Sequence, residues 1–162
     1  MRNTFGASQP NGDLHMDILH DPAVRAGLIE RLNRLTPASE RQWGKMTVDQ
    51  MLWHLNEGFE MGLGRRTVTK MKVPIPRFLL RVLIFNVPWP KGRARTHPDL
   101  EARAAYDFAE ERARLLRLLD EVATRPLEGA WPDSYAMGHM SGKDWSRMGV
   151  LHLDHHLKQF GV

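Results

Sequence analysis

Apolar positions recur at helical spacing in four stretches of the chain and alternate convincingly nowhere. Asp21 followed by Pro22 marks the first start, because the Asp side chain can accept from free backbone amides and proline suits the first helical position. Val24, Leu28, Leu32 and Leu35 then keep the period, and Thr36-Pro37 is expected to stop it. Thr47 with Gln50 three residues on has the capping-box arrangement and leads into Val48, Met51, Leu52, Leu55 and Phe59, with Gly62 and Gly64 closing the run. A third helix is expected to open near His97-Pro98 and to pass through Ala104, Phe108, Leu115, Leu119 and Val122 before Pro126. Ser141 is the expected cap of the last, which carries Trp145, Met148, Leu151 and Phe160. Four helices without strands or an internal repeat predict an all-α fold, a four-helix bundle.

Residues 65–96 interrupt this pattern. The stretch is basic at both ends and holds Phe78-Leu79-Leu80 and Val82-Leu83-Ile84-Phe85 in its middle. The apolar run is too short for a membrane span, which needs about 20 residues. A short helix or lid packed across one end of the bundle is expected, with a surface-lying amphipathic segment as the alternative. Apolar residues around Ile84 and Phe85 would also suit a homodimer contact.

Composition narrows the chemistry. The length suits one domain with its own core, which predicts a single bundle over residues 21–162 behind a flexible N-terminal tail, residues 1–20. The first residues are polar and lack the apolar core of a secretory signal, so the cytoplasm is the expected compartment. Cysteine is absent, which removes disulfides, thiolate ligands and cysteine nucleophiles together, so a metal must be held by nitrogen or oxygen. A formal charge of +4 is compatible with nucleic acid, anionic lipid or an acidic substrate, and equally with an ordinary solvated surface. No aromatic-basic platform or recognition helix is evident, so a specific nucleic-acid partner is not expected.

Eight histidines are present, and three crowd into the last helix as His152-Leu153-Asp154-His155-His156. His152 and His156, four residues apart, project from one face with Cβ atoms roughly 5–6 Å apart, a spacing at which two imidazoles reach one ion. Trp145, Met148, Gly149 and Gln159 share that face, so it looks inward. Buried imidazoles need partners, which a metal, water or a neighbouring helix can supply. His54 stands at the border of the second helix's apolar band, where Gly58 leaves room. It would complete a three-nitrogen face with open positions, the pattern of a catalytic rather than a closed structural site. His155 is the rival ligand, and Gln159 is either an orienting partner or a surface residue. Asp154 points the other way, and His15, His20, His97 and His139 fall in expected loops or the tail.

Several of these residues recur as a set. The elements are Gln42-Trp43-Gly44-Lys45-Met46, Gln50-Met51-Leu52-Trp53-His54, Pro90-Lys91-Gly92, and His152-Leu153-Asp154-His155-His156-Leu157-Lys158-Gln159-Phe160-Gly161. In them the chain resembles the DinB/YfiT-like metalloenzyme superfamily, in one of its uncharacterised branches. The resemblance implies a metal triad of His54, His152 and His156, and a long connection between helices two and three that residues 65–96 would supply. The loop Tyr135-Ala136-Met137-Gly138-His139-Met140 departs from relatives by lacking a His-Pro and a Phe, and it is expected to line the pocket.

Characterised members of that superfamily include thiol-cofactor-dependent S-transferases and isomerases. The resemblance therefore implies a metal-dependent transferase or hydrolase acting on a small molecule, with a low-molecular-weight thiol as co-substrate. Zinc is the default for three imidazoles, and nickel, iron and manganese also accept them. Lys91, Arg93 and Arg95 would meet an anionic thiol, or stand as ordinary exposed loop cations. A non-catalytic bundle that holds a metal or carries a ligand, in a stress response, is the alternative.

Overall fold

The computed structural model describes residues 17–70, 74–92 and 97–162. Among them are five α-helices and no named strand: α1 Pro22–Asn33, α2 Val48–Gly62, α3 Arg77–Asn86, α4 Phe108–Thr124 and α5 Gly142–Gln159. The all-helical expectation is met, and residues 65–96 add the fifth helix, α3. No helix among the described residues is long and apolar enough to cross a membrane.

The starts read from the sequence rest on real caps. The Asp21 carboxylate accepts from the amides of Ala23 and Val24, Gln50 Oε1 accepts from the amide of Thr47 at 3.1 Å, and Ser141 Oγ accepts from Asp144 at 3.2 Å. Each satisfies amides that a helix end leaves without an intrahelical acceptor. Within the expected tail, Leu19 is fully buried and the His20 ring bonds Ser146 Oγ and the carbonyl of Arg125, both at 2.8 Å.

The expected third helix starts ten residues late. Pro98–Leu100 forms only a 3-10 turn, and α4 begins after Asp107, whose carboxylate accepts from the Glu110 amide at 2.8 Å. The intervening backbone is captured by α2 instead. Gln50 donates to the carbonyl of Ala104 at 3.0 Å, and Asp49 accepts from the amide of Tyr106 at 2.8 Å. Those bonds replace the helical ladder that Ala104 and Ala105 would otherwise join.

α2 packs chiefly against α4, and α5 against α1 and α2. Met51, Leu52, Leu55, Leu115, Leu119, Leu153 and Leu157 have no solvent exposure at all. Because α2 turns one face to α4 and another to α5, it carries both core leucines and a histidine that looks along α5. Removing such a leucine leaves a cavity the packed neighbours cannot fill, at a cost of about 2–5 kcal/mol.

α3 is held to α5 by Arg81 to Asp144 at 2.5 Å and by Arg147 to the Phe85 carbonyl at 2.6 Å. Its inward residue is Phe85, which is buried, and Ile84 is half-buried. The exposed apolar residues are instead Phe78, Leu79, Val82, Leu83 and Val87. Phe85 is therefore not part of that exposed surface, and the guanidinium of Arg147 lies 5.0 Å from its ring.

Candidate metal centre

α2 and α5 bring three imidazoles to one point. The ring centroids of His54, His152 and His156 stand 4.9, 5.1 and 4.8 Å apart in their three pairings. One ring nitrogen from each lies within 4.8 Å of the other two, and His54 Nε2 is 3.0 Å from His152 Nε2. Nitrogens bound tetrahedrally at about 2.1 Å from one ion would stand roughly 3.4 Å apart, so small ring movements suffice to hold one.

Two of the rings have their tautomer fixed. His54 Nδ1 is 2.9 Å from the carbonyl of Leu100, which can only accept, so the proton sits on Nδ1 and the Nε2 lone pair faces the cluster. The carbonyl is aimed by the 3-10 turn, closed by the Leu100 amide on the carbonyl of His97 at 2.8 Å. His156 Nδ1 lies 2.8 Å from Gln159 Oε1, and Gln159 Nε2 donates to the carbonyl of Trp43 at 2.8 Å. The amide orientation is therefore set by Trp43, and His156 too carries its proton on Nδ1. Gln159 is buried, not a surface residue. Gly44, at φ 81, keeps this contact open, because a Cβ there would fall 2.5 Å from Gln159 Nε2.

His152 sits against Gly58, where a Cβ would already touch its ring at 3.4 Å. The sequence pattern placed that room beside His54, and the structure gives it to His152.

Burial holds all three rings neutral. It lowers the pKa of His54, it lowers that of His152 further with help from the neighbouring imidazoles, and it pushes His156 down to about 3. Neutral imidazole is the form that donates a lone pair to a metal. The buried carboxylate of Glu57 is engaged by Arg66 at 3.2 Å and Arg114 at 3.1 Å, and it is not one of the clustered groups.

The imidazoles line a cavity of about 570 Å³. Trp89 closes over it, 5.8 Å from the His152 ring and 5.4 Å from that of His155, with its indole N–H seated on the Ile84 carbonyl at 2.9 Å. His155 lies between Trp43 and Trp89 and stays outside the cluster, although it lines the same cavity. Lys91 Nζ lies 4.7 Å above the Trp43 ring, while Arg93 and Arg95 lie outside the described residues, as does His15. Tyr135, Ala136 and Met137 line the cavity, as expected of that loop.

Three contributors were not read from the sequence: Trp89, the Leu100 carbonyl and His97. His97 is buried, accepts from the Asp99 amide at 3.1 Å through Nδ1, and meets the Tyr135 ring edge-on at 5.0 Å. Burial raises the Tyr135 phenol above its usual pKa. The signal for His97 is His97-Pro98-Asp99, which forms a 3-10 turn and not the start of a long helix. Asp154 behaves as expected, bonded outward to Arg31 at 2.8 Å and Lys158 at 2.7 Å, and exposed His139 faces Asp133 at 3.6 Å and is not one of the clustered groups.

No curated protein and no solved structure matches this chain. A family model does match, over residues 16–161, and its description is a protein of unknown function, DUF1569. The chain therefore belongs to the DUF1569 family.

Proposed function

We propose that His54, His152 and His156 hold one divalent metal ion, zinc by default, in an enzyme related to the DinB/YfiT-like superfamily that acts on a small molecule in the cavity. The observation that supports it most is the pair of hydrogen bonds His54 to Leu100 and His156 to Gln159, which turn two lone pairs toward the nitrogen of His152. Bonds to the outer nitrogen of a ligating histidine are the usual way such rings are oriented. The donor set fits the ion chemically, because three neutral imidazoles leave its charge uncompensated.

A bound ion would supply a Lewis acid that lets a thiol or a water held beside it lose its proton near neutral pH. The chain's own residues do the rest. Leu100 and Gln159 keep the proton on Nδ1 of two rings, so that Nε2 remains the donor. Trp89, Met137 and Met148 give the cavity apolar walls that limit water. Lys45 and Lys91, at the Trp43 side, offer positive charge to an anionic group of the substrate. No cysteine or serine nucleophile is required, which supports a small-thiol S-transferase or a hydrolase as the reaction class.

Metal analysis of untagged protein tests this reading, comparing the wild type with His152→Ala. About one zinc, nickel, iron or manganese per chain is expected in the first and a marked loss in the second. Equal content in both would remove the site. Turnover of a low-molecular-weight thiol with an electrophile then separates an enzyme from a passive metal or ligand carrier.

A further inference from the structure

We propose that Tyr135 donates the hydrogen bond that selects the cavity's ligand, an apolar organic molecule bearing a carbonyl oxygen. This deepens the reading above, because it rests on the cavity being the ligand site, and it requires no metal ion.

The donor is carried by a short, internally bonded loop. Ser134 and Gly138 exchange backbone hydrogen bonds at 2.7 and 2.9 Å, which leaves Tyr135, Ala136 and Met137 as the tip between them. Ser134 is buried, and its Oγ accepts from the amides of Ala136 and Met137 at 3.4 and 3.3 Å. The tip is therefore held from inside, and all three of its residues line the cavity. His97 backs the phenol ring edge-on, with centroids 5.0 Å apart. Its own ring is fixed, since Nδ1 accepts from the Asp99 amide at 3.1 Å and Nε2 stands 3.3 Å from Thr69 Oγ1. One turn thus serves two groups: His97 at its start supports Tyr135, and Leu100 at its end binds His54.

Hydrogen-bond accounting along the wall singles out the phenol. The indole N–H groups of Trp89 and Trp145 are seated on the carbonyls of Ile84 and Pro132 at 2.9 and 2.8 Å. The Trp43 indole N–H has no partner among the described residues but is sealed from solvent, while Lys45 and Glu101 are exposed. His155 is also without a hydrogen bond among the described residues, and its ring stands between Trp43 and Trp89 beside His156. Tyr135 is half-buried on a separate loop, and its hydroxyl has no partner among the described residues. Burial raises its pKa, so the phenol keeps its proton at neutral pH and is offered as a donor.

A ligand that covers this hydroxyl must supply an acceptor, because a donor cut off from water without one is costly. A carbonyl oxygen fits, since it accepts and has no proton of its own. The rest of the ligand meets Met46, Met61, Met137, Met148 and Ile84, a soft apolar surface. The cavity's 570 Å³ lies within the roughly 300–1,000 Å³ that takes a small organic molecule.

Two probes of one outline test this on the full chain as purified, with tryptophan fluorescence following binding. Acetophenone carries the carbonyl oxygen, and α-methylstyrene has a methylene in its place. Both are expected to bind the wild type. Tyr135→Phe should weaken acetophenone about tenfold and leave α-methylstyrene within about twofold. The chain's other tyrosine, Tyr106, stacks on Trp53 and does not line the cavity, so Tyr106→Phe should alter neither affinity. Absence of acetophenone binding, an unaltered acetophenone affinity in Tyr135→Phe, or an equal loss of both probes would overturn the proposal. Zinc content measured on the same samples keeps the two readings apart. Protein that retains zinc but shows no Tyr135-dependent selection refutes this inference alone, and selection in protein that takes up no metal refutes the metal centre alone.

Discussion

The Nδ1–H of His54 donates to the carbonyl of Leu100 at 2.9 Å, across 46 residues of sequence. That bond ties the orientation of a candidate ligand to a three-residue turn outside the bundle helices. A second bond, from His156 to Gln159, does the same within α5. The chemistry of the site thus depends on groups that would never touch the ion.

Gln159→Leu removes the acceptor of His156 and the donor to Trp43 while preserving bulk. Loss of such an orienting partner typically costs 10–100-fold in metal affinity. Competition titration against a chromophoric chelator should show a loss of that order. Unchanged affinity would mean that His156 needs no orientation.

Gly44→Ala should act on the same contact from the other side. A methyl group at φ 81 is strained, and its ideal position lies 2.5 Å from Gln159 Nε2. Chemical denaturation should show a loss of about 1–2 kcal/mol, accompanied by weaker metal binding.

Acid should destabilise the metal-free protein. The three clustered histidines have folded-state pKa values below the ordinary 6.5, His156 at about 3. The unfolded chain therefore takes up protons first, so this contribution is complete above about pH 6.5 and is lost as pH falls toward 3. Urea midpoints across that window should fall with pH, and the fall should be smaller in His152→Ala. Saturating zinc should hold the midpoint up at the high end of the window, because the ion competes with protons for the same nitrogens.

Asp107→Ala tests where α4 begins. Loss of a side-chain cap costs about 1 kcal/mol, within a range of roughly 0.5–2. A denaturation midpoint equal to that of the wild type would place the helix start elsewhere.

Much of this architecture was legible in the sequence for local reasons. Asp21, Gln50 and Ser141 cap their helices through bonds spanning two or three residues, and His152 with His156 share a face because four residues make about one turn. What was misread is non-local. Ala104 and Ala105 favour helix, yet Asp49 and Gln50 of α2 bind the backbone of Tyr106 and Ala104, and the segment stays outside α4. The Leu100 carbonyl is a backbone atom and leaves no side-chain signal at all. Trp89 could be read as one more apolar residue until the fold set it over His152. The inward face of α3 was likewise undetermined, since Phe78, Leu79, Ile84 and Phe85 are equally apolar and only packing distinguishes them.

X-ray absorption fine structure of the zinc-loaded, untagged protein tests the central claim most directly. Three imidazole ligands at about 2.0–2.1 Å with one exogenous ligand are predicted, falling to two imidazoles in His54→Ala. A shell of oxygen ligands, or an unaltered histidine count in that variant, would contradict a centre built by α2 and α5 together.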